Sequence, residues 1–437
     1  MGLNFKSGFR MKYIFVLVIP IIIISLWSCK SEKKKFQEWR GPERSGIYPD
    51  TGLLKKWPEG GPRETWFAEG IGNGFGSPVI AEDRLYITGE IDSMAVLHCL
   101  DLSGNKIWQT RLGKEWIRSL PGSRSAPTVA GNLTYVGTGM GDLYCVQKEN
   151  GNILWSKSLE SDFQGIPTLH GHSEAPVVHE NRVFWVPGGR EYNVVALDRF
   201  TGELIWSNPC FRERSGYNSP KLIKLPERIL LVTFSAYHLM GLDAETGELL
   251  WFHEQESTPP EQRKPGYGDT HPNTVLYEDG SIYYMAGDGN CGVRLDLSED
   301  GSEIREVWRT QELDGYMGGL VKIGQFLYGG TTAKKRLISV DVSTGLVVDS
   351  LKIGSGVVIA GDEMLYYNQR GKLGLISYEK GKMKQVSSFR VTRGTEQHFS
   401  HPVIYRGVLY LRHGDALMGF RIAALPGMTC KNIRDEL

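Results

Sequence analysis

The sequence has no surplus of charge and no neighbouring cysteines. Its 437 residues include 50 lysines and arginines and 50 aspartates and glutamates, so the formal net charge is zero. A protein that binds nucleic acid through its phosphates needs a basic surface, so we expect no nucleic-acid partner. The six cysteines are widely spaced and form no C-x-x-C motif, which argues against a disulfide framework and a cysteine zinc site.

Long apolar runs are also scarce, and the clearest one lies near the N-terminus. Residues 11–29 (MKYIFVLVIPIIIISLWSC) combine a basic start, an apolar stretch and a small residue before Cys29, as in a secretory signal peptide. Leu26-Trp27-Ser28-Cys29 resembles a bacterial lipobox and predicts lipidation of Cys29, with a plain membrane anchor as the alternative. We expect a signal peptide with lipobox over 1–29, a tether and leader over 30–62, and a C-terminal tail over 426–437.

Glycine and tryptophan are plentiful, with 53 and 11 residues, and a repeated phrase contains both. Residues 241–251 read GLDAETGELLW, residues 197–206 read LDRFTGELIW, and the copies SGNKIW and NGNILW also end on tryptophan. Each full copy starts with a small residue and proline, continues through two aromatic or β-branched runs, and ends with tryptophan four residues after glycine. Short alternating apolar runs separated by turn residues predict antiparallel strands.

The repeats predict an all-β fold, an eight-bladed β-propeller of four-stranded antiparallel blades over residues 63–425. Each of the eight copies has roughly 40–50 residues, the length of one blade. The last copy supplies three strands, so we expect RETWF (63–67) to add the fourth and close the ring. Tryptophans that should pack over the turn of a neighbouring blade are Trp66, Trp108, Trp155, Trp206, Trp251 and Trp308.

GLDAETGELLW resembles the tryptophan-docking repeat of the quinoprotein β-propellers, and the resemblance covers about residues 63–422. The leader over 36–62 also resembles the opening of bacterial members of this family. The family includes dehydrogenases that use pyrroloquinoline quinone (PQQ) and a non-catalytic lipoprotein that scaffolds the machinery inserting outer-membrane β-barrels. For the enzymes, the resemblance implies a vicinal disulfide, a calcium ion held by Glu and Asn, and an Asp base. This chain has no Cys-Cys pair and no Glu/Asn/Asp set that aligns, so PQQ is disfavoured but stays open, and we assign no cofactor and no metal site.

Propellers bind ligands at one mouth of the central channel, on the loops that lead into the innermost strands. Here these loops are polar, and the candidate ligand-binding residues in them are Arg124, His170, His172, Glu174, Arg214, Tyr217, Asn218, Asp269, His271, Arg393, Glu396, His398 and His401. Histidine and glutamate can bind a metal or act as bases, whereas arginines suit an anion, a sugar or a peptide. The alternative is a set of polar groups that bond to one another in a water-filled channel. No residue is assigned a catalytic role.

The sequence favours a monomeric, lipid-anchored protein of the bacterial cell envelope, on the outer membrane and facing the periplasm or the cell surface. We expect a non-catalytic scaffold or ligand-binding module with a protein or glycan partner. Because a fold does not imply an activity, two enzyme alternatives stay open. They are a PQQ-dependent periplasmic dehydrogenase and a hydrolase or lyase acting on polysaccharide.

Overall fold

The computed structural model describes residues 1–2, 37–254, 259–264, 266, 269–287, 291–317 and 319–423. All elements described below belong to the compact unit Lys35–Leu437. The predicted signal peptide with Cys29 and the predicted tail over 426–437 lie outside the described residues. No helix in the described part of the chain is long and apolar enough to cross a membrane.

The described residues form 32 strands in eight four-stranded antiparallel sheets, numbered here as blades 1–8 in chain order. The predicted all-β, eight-bladed propeller is therefore confirmed. Blade 1 contains β2 (Val79–Ala81), β3 (Arg84–Ile91), β4 (Met94–Asp101) and β5 (Lys106–Lys114), and blade 2 contains β6 (Thr128–Ala130), β7 (Leu133–Gly137), β8 (Leu143–Gln147) and β9 (Ile153–Lys157). Blade 3 contains β10 (Val177–His179), β11 (Arg182–Trp185), β12 (Val194–Asp198) and β13 (Leu204–Asn208), and blade 4 contains β14 (Lys221–Lys224), β15 (Ile229–Phe234), β16 (His238–Asp243) and β17 (Leu249–Glu254). Blade 5 contains β18 (Leu276–Glu278), β19 (Ser281–Met285), β20 (Gly292–Leu297) and β21 (Ile304–Thr310), and blade 6 contains β22 (Leu320–Ile323), β23 (Phe326–Gly330), β24 (Leu337–Asp341) and β25 (Val347–Leu351). Blade 7 contains β26 (Gly356–Ala360), β27 (Met364–Asn368), β28 (Lys372–Glu379) and β29 (Lys382–Arg390), and blade 8 contains β30 (Val403–Tyr405), β31 (Val408–His413), β32 (Ala416–Arg421) and β1 (Arg63–Ala68).

Blade 8 is completed by the strand that comes first in the chain. Strand β1 pairs antiparallel with β32, so that Arg63 lies opposite Arg421 and Phe67 lies opposite Met418. The predicted closure by RETWF is therefore confirmed. Pairing the first strand with the last removes two free sheet edges, which would otherwise be templates for aggregation.

The hydrophobic core lies between blades, and the first strand of each blade lies nearest the centre of the ring. Strands β2 and β6 are buried along their whole length, whereas the outer strand β9 is largely exposed. One core cluster joins Leu143 and Cys145 of blade 2 to Val183 and Trp185 of blade 3. Because the blade faces bury one another in this way, the loops before the first strands are left to line the axis.

The repeated tryptophans pack across the contacts between blades. Trp206 of blade 3 lies on Gly247 of blade 4 and donates from Nε1 to the carbonyl oxygen of Ala244 at 3.2 Å. Gly247 has φ +78°, and a Cβ there would come within 2.6 Å of the Trp206 ring, so the turn requires glycine. Oδ1 of Asp243 accepts two backbone N–H groups of this turn. Four other tryptophans donate a similar Nε1 hydrogen bond to the next blade: Trp108, Trp155, Trp251 and Trp308. Trp66 of blade 8 contacts Gly104 of blade 1.

A β-bulge comes directly before this docking position in every described blade. In blade 3, Trp206 pairs with Ala196 and Leu204 with Leu197, which leaves Ile205 without a partner. A bulge adds one residue to one strand and bends it, so it can turn the next side chain toward the neighbouring blade. The bulged residues are Thr65, Ile107, Leu154, Ile205, Leu250, Val307, Val348 and Val386.

The described elements that are not strands are short. The helix α1 (Leu159–Phe163) begins after Ser158, whose Oγ accepts the N–H of Ser161 as an N-cap. Two 3-10 turns span Pro42–Arg44 and Pro260–Gln262. The first of these turns belongs to the leader, which reaches the centre of the ring.

Candidate functional site

A cavity of about 190 Å³ lies where the loops before the innermost strands meet, and we call it the axial cavity. Seven of these loops contribute to its wall, and the leader supplies the remaining part through Trp39. The side chains from the loops are Phe75, Ser77, Leu120, Arg124, Ala126, His170, Ser173, Ala175, Tyr217, Ser219, Thr270, Pro272, Tyr316, Met317, Phe399 and His401. Aromatic rings form much of this wall.

The leader crosses the centre of the ring beside the axial cavity. Gln37 exchanges two backbone hydrogen bonds with Val129 of blade 2, at 2.9 and 2.8 Å. Ten residues later, Ile47 forms a β-bridge with Ala360 of blade 7. Trp39 lies between these two attachment points and closes one side of the cavity.

A buried arginine attaches the leader to blades 3 and 4. Arg44 donates to the carbonyl oxygens of Pro176 at 2.8 Å, Pro220 at 3.0 Å and Ala175 at 3.1 Å. Its Nε donates to Glu38 at 2.6 Å. The guanidinium thus satisfies carbonyl groups at the starts of two innermost strands. The carbonyl oxygen of Pro176 also accepts from Oγ1 of Thr128 in β6, at 2.6 Å.

A second buried arginine makes the corresponding contacts with blades 6, 7 and 8. Arg40 donates to the carbonyl oxygens of Leu320 at 2.6 Å and Val358 at 3.4 Å, and to Nδ1 of His401 at 2.9 Å. Burial lowers the pKa of Arg40 to about 10, so the group is still charged at neutral pH. Burial and the charge of Arg40 hold the pKa of His401 well below its usual range. His401 is therefore a neutral acceptor in the cavity wall.

Four of the thirteen predicted ligand-binding residues line the axial cavity: Arg124, His170, Tyr217 and His401. Arg124 donates to two backbone carbonyl oxygens of the surrounding loops and lies 5.8 Å from the centre of the Phe75 ring. The rings of His170 and Tyr217 are 6.3 Å apart. Burial lowers the pKa of Arg124 to about 10 and raises that of Tyr217 to about 12, so Arg124 is charged and Tyr217 neutral.

His172, Glu174 and Asn218 lie next to cavity-lining residues in the sequence but do not line the cavity. His172 Nε2 lies 3.1 Å from the carbonyl oxygen of Val186, and Glu174 Oε2 accepts the N–H of Val186 at 3.1 Å. Asn218 accepts the N–H of Phe234 at 3.3 Å. Burial lowers the pKa of His172 to about 4 and raises that of Glu174 well above its usual value. These contacts fix backbone, while His172 Nδ1 and Glu174 Oε1 are buried without a hydrogen-bond partner among the described residues.

Arg214, Asp269 and His271 hold together the loops of blades 4 and 5. Arg214 Nε donates to Asp269 Oδ2 at 2.6 Å, and a terminal nitrogen of Arg214 donates to the same oxygen. His271 Nε2 lies 2.9 Å from the carbonyl oxygen of Ala236. The acid of this ion pair is fully buried, so we interpret the set as structural support for the loops.

Arg393, Glu396 and His398 lie at blade 8, away from the wall of the axial cavity. Arg393 forms an ion pair with Glu64 at 3.0 Å. The His398 ring stacks on His413 at 3.6 Å, and the backbone carbonyl oxygen of Glu396 lies 2.9 Å from His413 Nε2. The thirteen predicted residues therefore divide into one cavity-lining group and three groups that support loops.

The cavity does not carry the donors expected for a calcium-bound quinone. The described residues contain no group of three His, Cys, Asp or Glu side chains placed to hold a metal ion. None of the side chains lining the cavity is a carboxylate, although calcium needs several oxygen ligands. The described cysteines are free thiols at Cys99, Cys145, Cys210 and Cys291. We therefore assign no reaction step to PQQ.

Sequence reasoning missed several aromatic and apolar members of the wall. The rings of Phe75 and Phe399 are 5.5 Å apart. Phe399 lies in a loop selected for its polar residues, whereas Phe75 lies in the glycine-rich loop 72–78, which supplied no candidate. Their position before an innermost strand was the available signal. Trp39 gave no such signal, because it lies in a leader outside the repeat.

Comparisons with known proteins agree with this fold. The family model of the outer membrane protein assembly factor BamB matches residues 93–351. BamB of Shewanella oneidensis is 21% identical over 308 residues, which are 68% of this chain and 69% of that protein. The crystal structure of BamB from Moraxella catarrhalis superposes with a TM-score of 0.59 at 13% identity, covering 82% of this chain and 99% of that one.

A second relative is an enzyme, but the match is partial. The quinoprotein alcohol dehydrogenase PedH of Pseudomonas putida is 26% identical over 146 residues, or 32% of this chain. This aligned segment is 24% of the length of the dehydrogenase, so most of the enzyme has no counterpart in the match.

Proposed function

This chain belongs to the BamB family of PQQ-like β-propellers, and from that premise we propose that it is a non-catalytic scaffold of the bacterial cell envelope. In this proposal it binds protein partners that take part in the assembly of outer membrane proteins, the process for which BamB is named. The proposed attachment is a lipid on Cys29, and the proposed form is a monomer. A scaffold needs a docking surface more than a reactive site.

The observation that supports this proposal is a series of exposed apolar side chains on the outer strands of blades 1–4. Exposed fractions are 45% for Ile107, 51% for Leu154, 47% for Leu204 and 52% for Phe252. Large apolar patches are uncommon on soluble monomers and often mark protein interfaces. We call the following residues the rim patch: Ile107, Ile153, Leu154, Leu204, Ile205 and Phe252.

The docking of the tryptophans places members of the rim patch on the two sides of the contact between neighbouring blades. Trp155 lies on Gly202, so Leu154 directly precedes the docked ring and Leu204 follows the glycine beneath it. Blade 7 differs, because its outer strand exposes Lys382 and Lys384. Exposed apolar residues therefore occur on the outer strands of blades 1–4, and blade 6 also exposes Leu346 and Val347.

The partner surface can be tested by photo-crosslinking in cells of the source bacterium. We expect a crosslinker at Leu154 or Leu204 to capture the same outer-membrane assembly component, identified by mass spectrometry. A crosslinker at Lys384 is the matched control and should not capture it. Equal capture at Lys384 would argue against the rim patch as the docking surface. So would a crosslink from Leu154 that is unchanged in the Leu204→Glu variant.

The proposed anchor has its own test. Labelled fatty acid should enter the wild-type protein, and Cys29→Ala should abolish that labelling and release the protein from the membrane fraction. Ser28→Ala keeps a small residue before the cysteine and serves as the control. Full labelling of the Cys29→Ala variant would contradict lipidation at this residue.

A further inference from the structure

We infer that the axial cavity is a binding site for a small carboxylate that carries one aromatic ring. The site is separate from the rim patch, and the inference does not rest on the proposed scaffold function. Three features support it: the size of the cavity, the aromatic rings in its wall, and the single cationic side chain that lines it.

The size and the wall of the cavity fit one ring. A cavity of roughly 150 Å³ is enough to bind benzene, whereas pockets for drug-sized molecules begin at roughly 300 Å³. The axial cavity, at about 190 Å³, lies between these values. Its wall includes the rings of Trp39, Phe75, Tyr316 and Phe399, which favour edge and offset contacts with another ring.

The charge of the wall fits an anion. Arg124 has five N–H groups, and it donates to the carbonyl oxygens of Leu120 and His170, which leaves other N–H groups without a hydrogen-bond partner among the described residues. The nearby acid Glu115 is already occupied, since it accepts from Ser123 at 2.6 Å and from two backbone N–H groups. A carboxylate in the cavity would meet a half-buried cation that its surroundings only partly neutralise.

The neutral groups of the cavity wall limit the site to a ligand with one negative charge. His401 is already engaged as an acceptor for Arg40, and its pKa is held well below the usual range, so it adds no second positive charge. The wall includes no Asp or Glu that would repel an anion or attract an amine. The site therefore suits a single negative charge. Such a group is present in a free aromatic acid and in the C-terminal residue of a polypeptide ending in an aromatic side chain.

Calorimetric titration of the purified full-length mature protein tests the inference. Probes are phenylacetate, N-acetylphenylalanine, the neutral N-acetylphenylalanine amide, and glucose. We expect one of the two carboxylates to bind with one-to-one stoichiometry and at least tenfold tighter than the amide. Preference for phenylacetate would identify a free acid as the source, and preference for N-acetylphenylalanine would identify a polypeptide terminus.

Variants locate the binding within the structure. Arg124→Gln should weaken carboxylate binding by about ten- to a hundredfold, the value of a hydrogen bond to a charged group, and leave amide binding unchanged. Arg118→Gln, in an exposed position of the same loop, should have no effect. Met317→Trp should fill the cavity and abolish binding while the melting temperature stays within a few degrees. Absence of carboxylate binding, tighter binding of glucose, or full affinity in Arg124→Gln and Met317→Trp would overturn the inference.

Discussion

Arg44 is almost completely buried, and its guanidinium donates four hydrogen bonds to the leader and to blades 3 and 4. Three of the acceptors are backbone carbonyl oxygens that precede or begin innermost strands. An arginine is suited to this task, because its planar donors reach several acceptors at once and stay charged. Arg44 therefore helps to hold the leader, a peptide without regular strands, at the centre of the ring.

We expect Arg44→Met to lower the free energy of unfolding by roughly 3 kcal/mol or more. The substitution removes the donor to the carbonyl oxygens of Ala175 and Pro220 and the ion pair of Glu38, whereas Pro176 still accepts from Thr128 at 2.6 Å. Each group left without its partner costs about 1 kcal/mol or more. Arg305→Met removes an exposed ion pair and should change stability by less than about 0.5 kcal/mol. Denaturant unfolding measures both values, and equal midpoints for the two variants would contradict the structural role of Arg44.

His172 should make stability depend on pH in a defined direction. Burial lowers its native pKa to about 4, whereas the unfolded value is about 6.5. Between these values the unfolded chain binds a proton that the native protein does not, so stability falls as pH falls from about 6.5 to about 4, by at most about 1.4 kcal/mol per pH unit. His172→Gln should remove this slope relative to wild type. Parallel plots of unfolding free energy against pH for the two proteins would show that folding does not lower the pKa of His172.

At the scale of the strand, the bulge before the tryptophan is the element that the eight blades share most closely. Blade 6 has Asp349 and blade 7 has Ser387 at the tryptophan position, yet both keep the bulge at the preceding residue. In blade 6 the replacement is still used, because Asp349 accepts the N–H of Met383 in blade 7 at 2.8 Å. Backbone geometry is therefore repeated where the side chain is not.

Deleting Ile205 should destabilise the protein by more than the roughly 3–5 kcal/mol expected for loss of a buried aromatic ring. Without the bulge the strand shifts by one residue, and every later side chain of β13 turns to the opposite face. Ile205→Thr is the matched control, since threonine occupies the same bulge in β1 at Thr65. Thermal unfolding measures both, and a deletion variant that melts with the control would show that the bulge does not direct Trp206.

The repeat explains which parts of the structure could be predicted from the sequence. Strands, blades and closure follow from local alternation and from the fixed Gly–Trp spacing, as in TGELIW. His172 and Glu174 were placed at the mouth because they share a loop with His170, but they are packed inside the blade instead. The partners of Arg40 lie 280 to 361 residues away in sequence, so no local pattern could reveal them.

At the scale of the whole molecule, the leader joins blades that do not otherwise touch. It bonds to blade 2 through Gln37 and to blade 7 through Gly46, whose carbonyl oxygen accepts the N–H of Ala360 at 2.9 Å. It also reaches blades 3, 4, 6 and 8 through its two arginines. A ring built from neighbour contacts thereby gains connections across its diameter.

A variant without residues 30–48 should keep its blades, but backbone N–H groups at the centre of the ring should lose protection from hydrogen exchange. We expect faster hydrogen exchange at Val129 and Ala360, whose N–H groups bond to the leader, and unchanged exchange at Leu197 in the middle of blade 3. A variant lacking only residues 30–36 is the control and should match wild type. Unchanged exchange at Val129 and Ala360 in the longer deletion would contradict the role of the leader.

The pairing of β1 with β32 also sets an order of events during synthesis. The strand that completes blade 8 is made before any other, but its partner is made after all the rest. Contacts between such distant segments form slowly, because the intervening loop must close first. A nascent chain consequently carries an unpaired first strand until the last blade arrives. Any interrupted translation product would keep this strand exposed, and proteases could distinguish it from a finished molecule.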